Sequence, residues 1–213
     1  MKKIINNLID FYKKAEKLKT ITRHSWLSNS TRQESVAEHT WMLCLLAMII
    51  SEKLDSKINL FKVLKMLIIH DLAEAVTGDI PAHEISKRQK NKYKNEERVF
   101  KKLTPLLSQK NANEIIRLWR EFEKKKTVEA KFANSLDKIE VIMQHTLSNI
   151  SSWDQGDFDI TPYYKNQYFN FDTFMRDLKD EVDGQLMKKI IKAKKESRVD
   201  VEYLKKYKQG QKK

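Results

Sequence analysis

Residues 67–80 read LIIHDLAEAVTGDI, an apolar run that meets His70 and Asp71, with Glu74 one helical turn further on. Burying an imidazole and two carboxylates costs free energy unless hydrogen bonds, counter-charges or a cation offset it. Two more ligating residues stand in similar apolar surroundings: His39 in SVAEHTW (35–41) and Asp137 in EAKFANSLDKIE (129–140). Mixed imidazole and carboxylate ligands suit Mn, Co, Fe, Ni or Zn, with Mg less natural. Successive helical residues diverge by about 100°, so His70 and Asp71 can grip one cation from the same wall. His39 and Asp137 would reach it from neighbouring helices. Blander readings compete. A histidine on an apolar helix is usually a hydrogen-bonded core residue, and Asp137 can pair with Lys138 or Lys131. Residue chemistry alone stops at a possible metal site in a helical bundle.

The elements that must position these groups are helices. Four glycines and three prolines in 213 residues leave little for tight turns, and helix formers dominate. The chain is expected to be all-α, one domain over 1–195 with its motif core at about 15–150, followed by a basic tail at 196–213. A first amphipathic helix is expected over 2–19. The polar stretch 20–34 reads as a loop carrying Arg23, His24 and Trp26. Ser35 and Glu38 form a Ser-x-x-Glu capping box, so a helix starts there with His39 in its first turn. The next helix should run from about Leu60 to Val76 and stop at Gly78. Residues 82–95 look like a mobile polar segment over the site. Further helices are expected near 95–103, ending at Thr104-Pro105, and at 112–124. Another runs from Thr127 to about Ile150, where Phe132, Leu136, Ile139 and Met143 form a core stripe. The aromatic-rich 153–174 reads as a loop pinned by its rings, before a last helix at 174–195.

The three quoted phrases, taken in order, resemble the HD-domain metal-dependent phosphohydrolases, and in wording their 5'-deoxynucleotidase-like subgroup. The likeness covers roughly residues 15–150. It implies a helical bundle in which His39, His70, Asp71 and Asp137 hold one divalent metal ion, and cleavage of a phosphomonoester, most specifically of 5'-deoxynucleoside monophosphates. It implies a catalytic role for Glu74, orienting or deprotonating water, and for Asp79, at the leaving oxygen or the nucleotide. It further matches Arg23 to a phosphate clamp and Trp26 to a residue packed on the sugar. The run Arg23-His24-Ser25-Trp26 departs from the subgroup pattern, in which the two residues are adjacent or glycine precedes the tryptophan. His24, His83 and His145 match no motif and read as surface or structural residues. Because the subgroup is commonly dimeric and apolar residues are plentiful, a homodimer is expected.

Composition narrows the alternatives. The formal charge is +13, from 34 lysines and 8 arginines against 29 acidic residues. The lysines are dispersed, unlike the clustered arginines and interleaved aromatics of a nucleic-acid reader, so nucleic acid is not the expected partner. A small phosphorylated substrate, most simply a nucleotide, fits the positive field. The apolar run 41–50 is half of the ~20 residues that span a bilayer, and the N-terminus lacks a secretory pattern. With a single cysteine, Cys44, there is no disulfide framework. These features point to the cytoplasm and away from the membrane. Two rivals remain: an HD-type hydrolase of another phosphorylated small molecule, whose guanosine-tetraphosphate class would carry Glu-Asp where this chain has Glu74-Ala75, and a non-catalytic basic binding module.

Overall fold

The computed structural model describes residues 1–160 and 164–195. Ten helices account for most of them: α1 (Lys2–Ala15), α2 (Val36–Ile50), α3 (Leu60–Ile69), α4 (Glu74–Thr77), α5 (Lys87–Lys90), α6 (Lys92–Leu103), α7 (Gln109–Lys124), α8 (Val128–Leu147), α9 (Gln155–Ile160) and α10 (Thr173–Lys195). The expected all-α class holds. The basic tail at 196–213 lies outside the described residues.

Helix starts follow local chemistry. At α2 the Ser35 hydroxyl accepts from the Glu38 amide at 3.2 Å, while Glu38 accepts from the Ser35 amide at 2.9 Å. This is the expected capping box, satisfying two donors that a helix start leaves unpaired. Asn59, Ser108 and Thr127 cap α3, α7 and α8 one way only, each side-chain oxygen accepting from the amide three residues on. Each such cap contributes about 1 kcal/mol.

Helix α8 runs through the middle and packs against α2, α3, α7 and α10. Phe132, Leu136, Ile139 and Ile142 on it are fully buried against Leu43 and Ala47 of α2, Val63, Met66 and Leu67 of α3, and Met175, Leu186 and Ile190 of α10. Complete burial of each large side chain is worth roughly 1.5–3 kcal/mol. A smaller cluster of Leu72, Val99, Phe100, Leu103 and Trp119 packs under α6 and α7. No described helix is long and apolar enough to cross a membrane.

Four segments differ from expectation. The aromatic-rich 153–174, expected as a loop, contains α9 and a 3-10 turn at Asn166–Tyr168. Residues 20–34 are not simply a loop: strands β1 (Thr22–Trp26) and β2 (Gln33–Ser35) pair antiparallel, with Thr22 opposite Ser35 and Trp26 opposite Gln33. The expected helix 60–76 breaks after Ile69. The His70 ring donates from Nδ1 to the Leu67 carbonyl at 2.7 Å where the helix ends. The chain tightens into i→i+3 bonds, Leu72 to Ile69 at 3.1 Å and Glu74 to Asp71 at 2.9 Å, before α4. Gly78 then ends α4 at φ +71°, a left-handed backbone that favours glycine. Finally, much of 82–95 is ordered as α5 and the start of α6, which brings Lys92 to the site.

Candidate functional site

His39 comes from the first turn of α2, His70 and Asp71 from the tight turn after α3, and Asp137 from the middle of α8. One ligand atom each of His39, His70 and Asp137 lies within 4.8 Å of the other two. Asp71 Oδ2 stands 3.0 Å from His70 Nε2. His39, His70 and Asp137 meet because α2, α3 and α8 share the core, and Asp71 stands beside His70.

The ring nitrogens face in a defined sense. His39 Nδ1–H donates to Glu140 Oε2 at 2.6 Å, leaving Nε2 turned toward Asp137 Oδ1 at 3.2 Å. Burial and Arg23 oppose charge on His39, yet Glu140 and Asp137 outweigh them and hold its pKa at about 10. His70 gives its Nδ1–H to the Leu67 carbonyl, a group that can only accept, and its buried Nε2, turned toward Asp71, has no hydrogen-bond partner. A buried lone pair beside a carboxylate is repulsive unless a cation or proton lies between them. Two inward Nε2 atoms with two carboxylates, each imidazole fixed from behind by an acceptor, make a donor set that fits a divalent transition metal.

Positive side chains surround the centre. Arg23 on β1 reaches Asp71 at 3.2 Å, Asp79 at 3.7 Å and Glu34 at 3.8 Å. Lys138 donates to Asp137 Oδ2 at 2.6 Å, so the bland pairing expected for Asp137 coexists with its position at the centre. Lys92 of α6 donates to Glu74 Oε1 at 3.0 Å, while Glu74 Oε2 is buried without a hydrogen bond. Burial and the nearby Asp71 push the Glu74 carboxyl up to about 8 against the pull of Lys92. A group poised near neutral pH suits proton transfer. Burial, then the Glu140 carboxylate, likewise raise Glu34 to about 7.

These groups line a cavity of about 390 Å³ whose walls include Arg23, His70, Asp71, Glu74, Asp79, Lys92, Asp137 and Lys138. The volume suits a small metabolite. Trp26 is not among its lining residues: its carbonyl accepts from Gln144 Nε2 at 2.6 Å, and the ring makes no part of the wall. The expected contact of Trp26 with a sugar has no support in this geometry. Sequence reasoning missed Glu34, Glu140 and Lys92, and named Lys138 only as a pairing partner of Asp137. Glu140 carried a usable signal, being a carboxylate one turn beyond Asp137 and next to the buried Ile139. His24, His83 and His145, expected as surface or structural residues, gather instead at one side of the same cavity.

A helical bundle with His39, a His70-Asp71 pair and Asp137 around one buried point defines a class. An HD-domain family model matches residues 15–179, and the chain belongs to that family. Among its relatives is the 5'-deoxynucleotidase HDDC2 of Homo sapiens, 35% identical over 140 residues, or 65% of this chain and 66% of that one. The match thus spans slightly less than two thirds of the human protein. The 5'-deoxynucleotidase hdd1 of Schizosaccharomyces pombe is 36% identical over 142 residues, covering 65% of this chain and 70% of its own. In architecture the chain resembles a protein of Magnetospirillum magnetotacticum called a predicted metal-dependent phosphohydrolase. The TM-score is 0.72 at 24% identity, covering 92% of this chain and 95% of that one, a likeness of fold alone.

Proposed function

We propose that this protein is a metal-dependent phosphohydrolase that cleaves 5'-deoxynucleoside monophosphates to nucleoside and phosphate. The observation that carries the reading is the buried, unpartnered His70 Nε2 facing Asp71, beside His39 and Asp137, in the floor of a cation-rimmed cavity. The substrate class comes from the curated relatives named 5'-deoxynucleotidase. His39, His70, Asp71 and Asp137 would hold the ion, with Mn, Co, Fe, Ni or Zn favoured over Mg by the donor set. When bound, such an ion supplies Lewis acidity to water and to the phosphoryl group. The side chains do the rest. Glu74 accepts the proton of the attacking water, and Lys92 fixes the carboxylate through Oε1. Asp79 acts at the leaving oxygen. Arg23 exchanges its carboxylate partners for phosphate oxygens, which its planar fork is shaped to hold.

The test is phosphate release from a panel of ribo- and deoxynucleoside monophosphates by chelator-stripped protein reloaded with Mn, Co, Mg or Zn. Release from the deoxynucleotides with at least one transition metal is expected. No release from any member of the panel with any metal refutes the reading, and release confined to other phosphomonoesters moves it to another small phosphorylated substrate.

The proposal extends to assembly and location. Helix α2 is apolar nearly all round, and Trp41, Leu45, Met48 and Ile49 remain exposed on it, with Phe61 and Ile68 exposed on the adjoining α3. A face of this kind suits a second copy of the chain, so we place the protein as a homodimer. We place it in the cytoplasm, in keeping with its one free cysteine, the half-buried Cys44.

A further inference from the structure

Beside the HD centre, a second set of ligands meets at the side of the cavity. His24 comes from β1, His83 from the segment after α4, and Asp154 and Asp157 from the start of α9. One ligand atom of each lies within 4.8 Å of all the others. His24 Nε2 is 3.0 Å from a carboxylate oxygen of Asp157 and 3.5 Å from Asp154 Oδ2. His83 Nε2 is 3.6 Å from the same Asp154 oxygen. We propose that His24, His83, Asp154 and Asp157 form a second divalent-cation site, separate from the HD ligands, that takes a borderline transition metal such as Zn²⁺ or Co²⁺.

The spacing is that of a coordination shell. Ligands bound at 2.0–2.1 Å around a tetrahedral ion lie about 3.3–3.4 Å apart, between the 3.0 Å of His24–Asp157 and the 3.6 Å of His83–Asp154. Two imidazoles and two carboxylates also make a familiar donor set for these ions. Asp157 Oδ1 lies 2.9 Å from His145 Nε2, and the His145 ring is held from its other side by the Val141 carbonyl at 2.8 Å. Asp157 is thereby oriented from behind, as ligating groups usually are.

His83 gives an independent reason. Its ring lies edge-to-face on His24, with centroids 4.7 Å apart, and directly against the backbone of Gly156. A Cβ at position 156 would come within 2.6 Å of the His83 ring, so only glycine admits this approach. Among the described residues His83 makes no hydrogen bond, and its nearest acidic oxygen, on Asp154, is too far for one. An imidazole seated on glycine and turned toward a carboxylate without bonding to it is placed for a ligand that bridges the gap. A cation here would tie together three segments distant in sequence, around 24, 83 and 154–157, at the wall they share with the HD centre. The inference does not depend on which reaction that centre performs.

The test begins by removing the HD site. Full-length protein carrying His39→Ala and His70→Ala is stripped with chelator and titrated with ZnCl₂ by calorimetry. One Zn²⁺ per chain should still bind. Adding His83→Gln and Asp154→Asn to that background should weaken this binding at least 100-fold. Gly156→Ala removes no ligand, and should weaken it at least tenfold by displacing the His83 ring. No Zn²⁺ binding to the background protein, or binding indifferent to the added substitutions, overturns the proposal and leaves the cluster as ion pairs only. Should the background protein fail to fold, wild-type crystals grown with ZnCl₂ decide. An anomalous peak among the four side chains supports the site, and a peak at the HD centre without one here refutes it.

Discussion

Glu140→Gln should weaken metal binding without unfolding the protein. The Glu140 carboxylate is buried, and it accepts the Nδ1–H of a His39 that has no solvent exposure at all. Glutamine keeps the length of the side chain and can still accept through its amide oxygen, so the tautomer and ring orientation of His39 survive. What disappears is the negative charge that makes the opposite nitrogen a stronger donor. Loss of such a partner behind a ligating histidine typically lowers metal affinity 10–100-fold, or about 1.4–2.7 kcal/mol at 1.4 kcal/mol per decade. Glu140→Ala goes further: it leaves the buried His39 N–H unpaired, adding a stability loss of about 1–3 kcal/mol. Competition titration with a chromogenic chelator gives the affinities, and urea unfolding of the stripped proteins gives the stabilities. The expected pattern is a weakened Kd for both variants and a shifted unfolding midpoint for the alanine alone. Wild-type affinity in Glu140→Gln would refute the reasoning, because it would mean that His39 does not ligate through Nε2.

Three further outcomes are open to measurement. Glu74→Gln should retain the metal and lose turnover by roughly 100-fold or more, at least ~2.7 kcal/mol of transition-state stabilisation, chiefly in kcat; loss of the metal would make Glu74 a ligand instead. Trp41→Glu combined with Met48→Glu should yield a monomer by light scattering, and an unchanged mass would place the subunit contact elsewhere. Glu38, whose pKa is lowered to about 2 by Arg32 and the Ser35 amide, has a depressed folded-state value. Its contribution is therefore full above about 4.5 and lost as pH falls toward 2. Arg32→Met, which removes the foremost of those partners, should flatten that part of the stability–pH profile, and an unaltered profile would dismiss Arg32 as its source.

Local signals made some parts of this protein legible and left others silent. Ser35 and Glu38 marked the start of α2 because a capping box is chemistry between near neighbours. The buried stripe of α8 followed from its 3.6-residue period, and with it the position of Asp137. The hairpin was invisible: five and three residues of mostly polar sequence show no alternation, and their pairing depends on packing beside α8. The break after Ile69 was hidden as well, since no glycine or proline marks it. His24, His83 and His145 had no informative spacing because only the tertiary fold brings them together. Lys92 was masked by its setting in a polar, basic stretch, where one lysine that turns inward looks like its exposed neighbours.

The placement of the HD ligands has a consequence for folding. Residues 39 and 137 sit on helices that supply the core, with Leu43 and Ala47 following His39 along α2 and Leu136 and Ile139 flanking Asp137 on α8, while 70–71 follow directly on α3, which supplies Val63, Met66 and Leu67. An ion held by all of them would act as a cross-link closing two large loops of the chain, available to the native state and largely denied to the unfolded one. Free metal at 100 times its dissociation constant would then add about 2.7 kcal/mol to global stability. Core packing and metal affinity become two readings of one equilibrium, so a cavity opened beneath α2 would loosen the ion, and a chelator would lower the melting temperature.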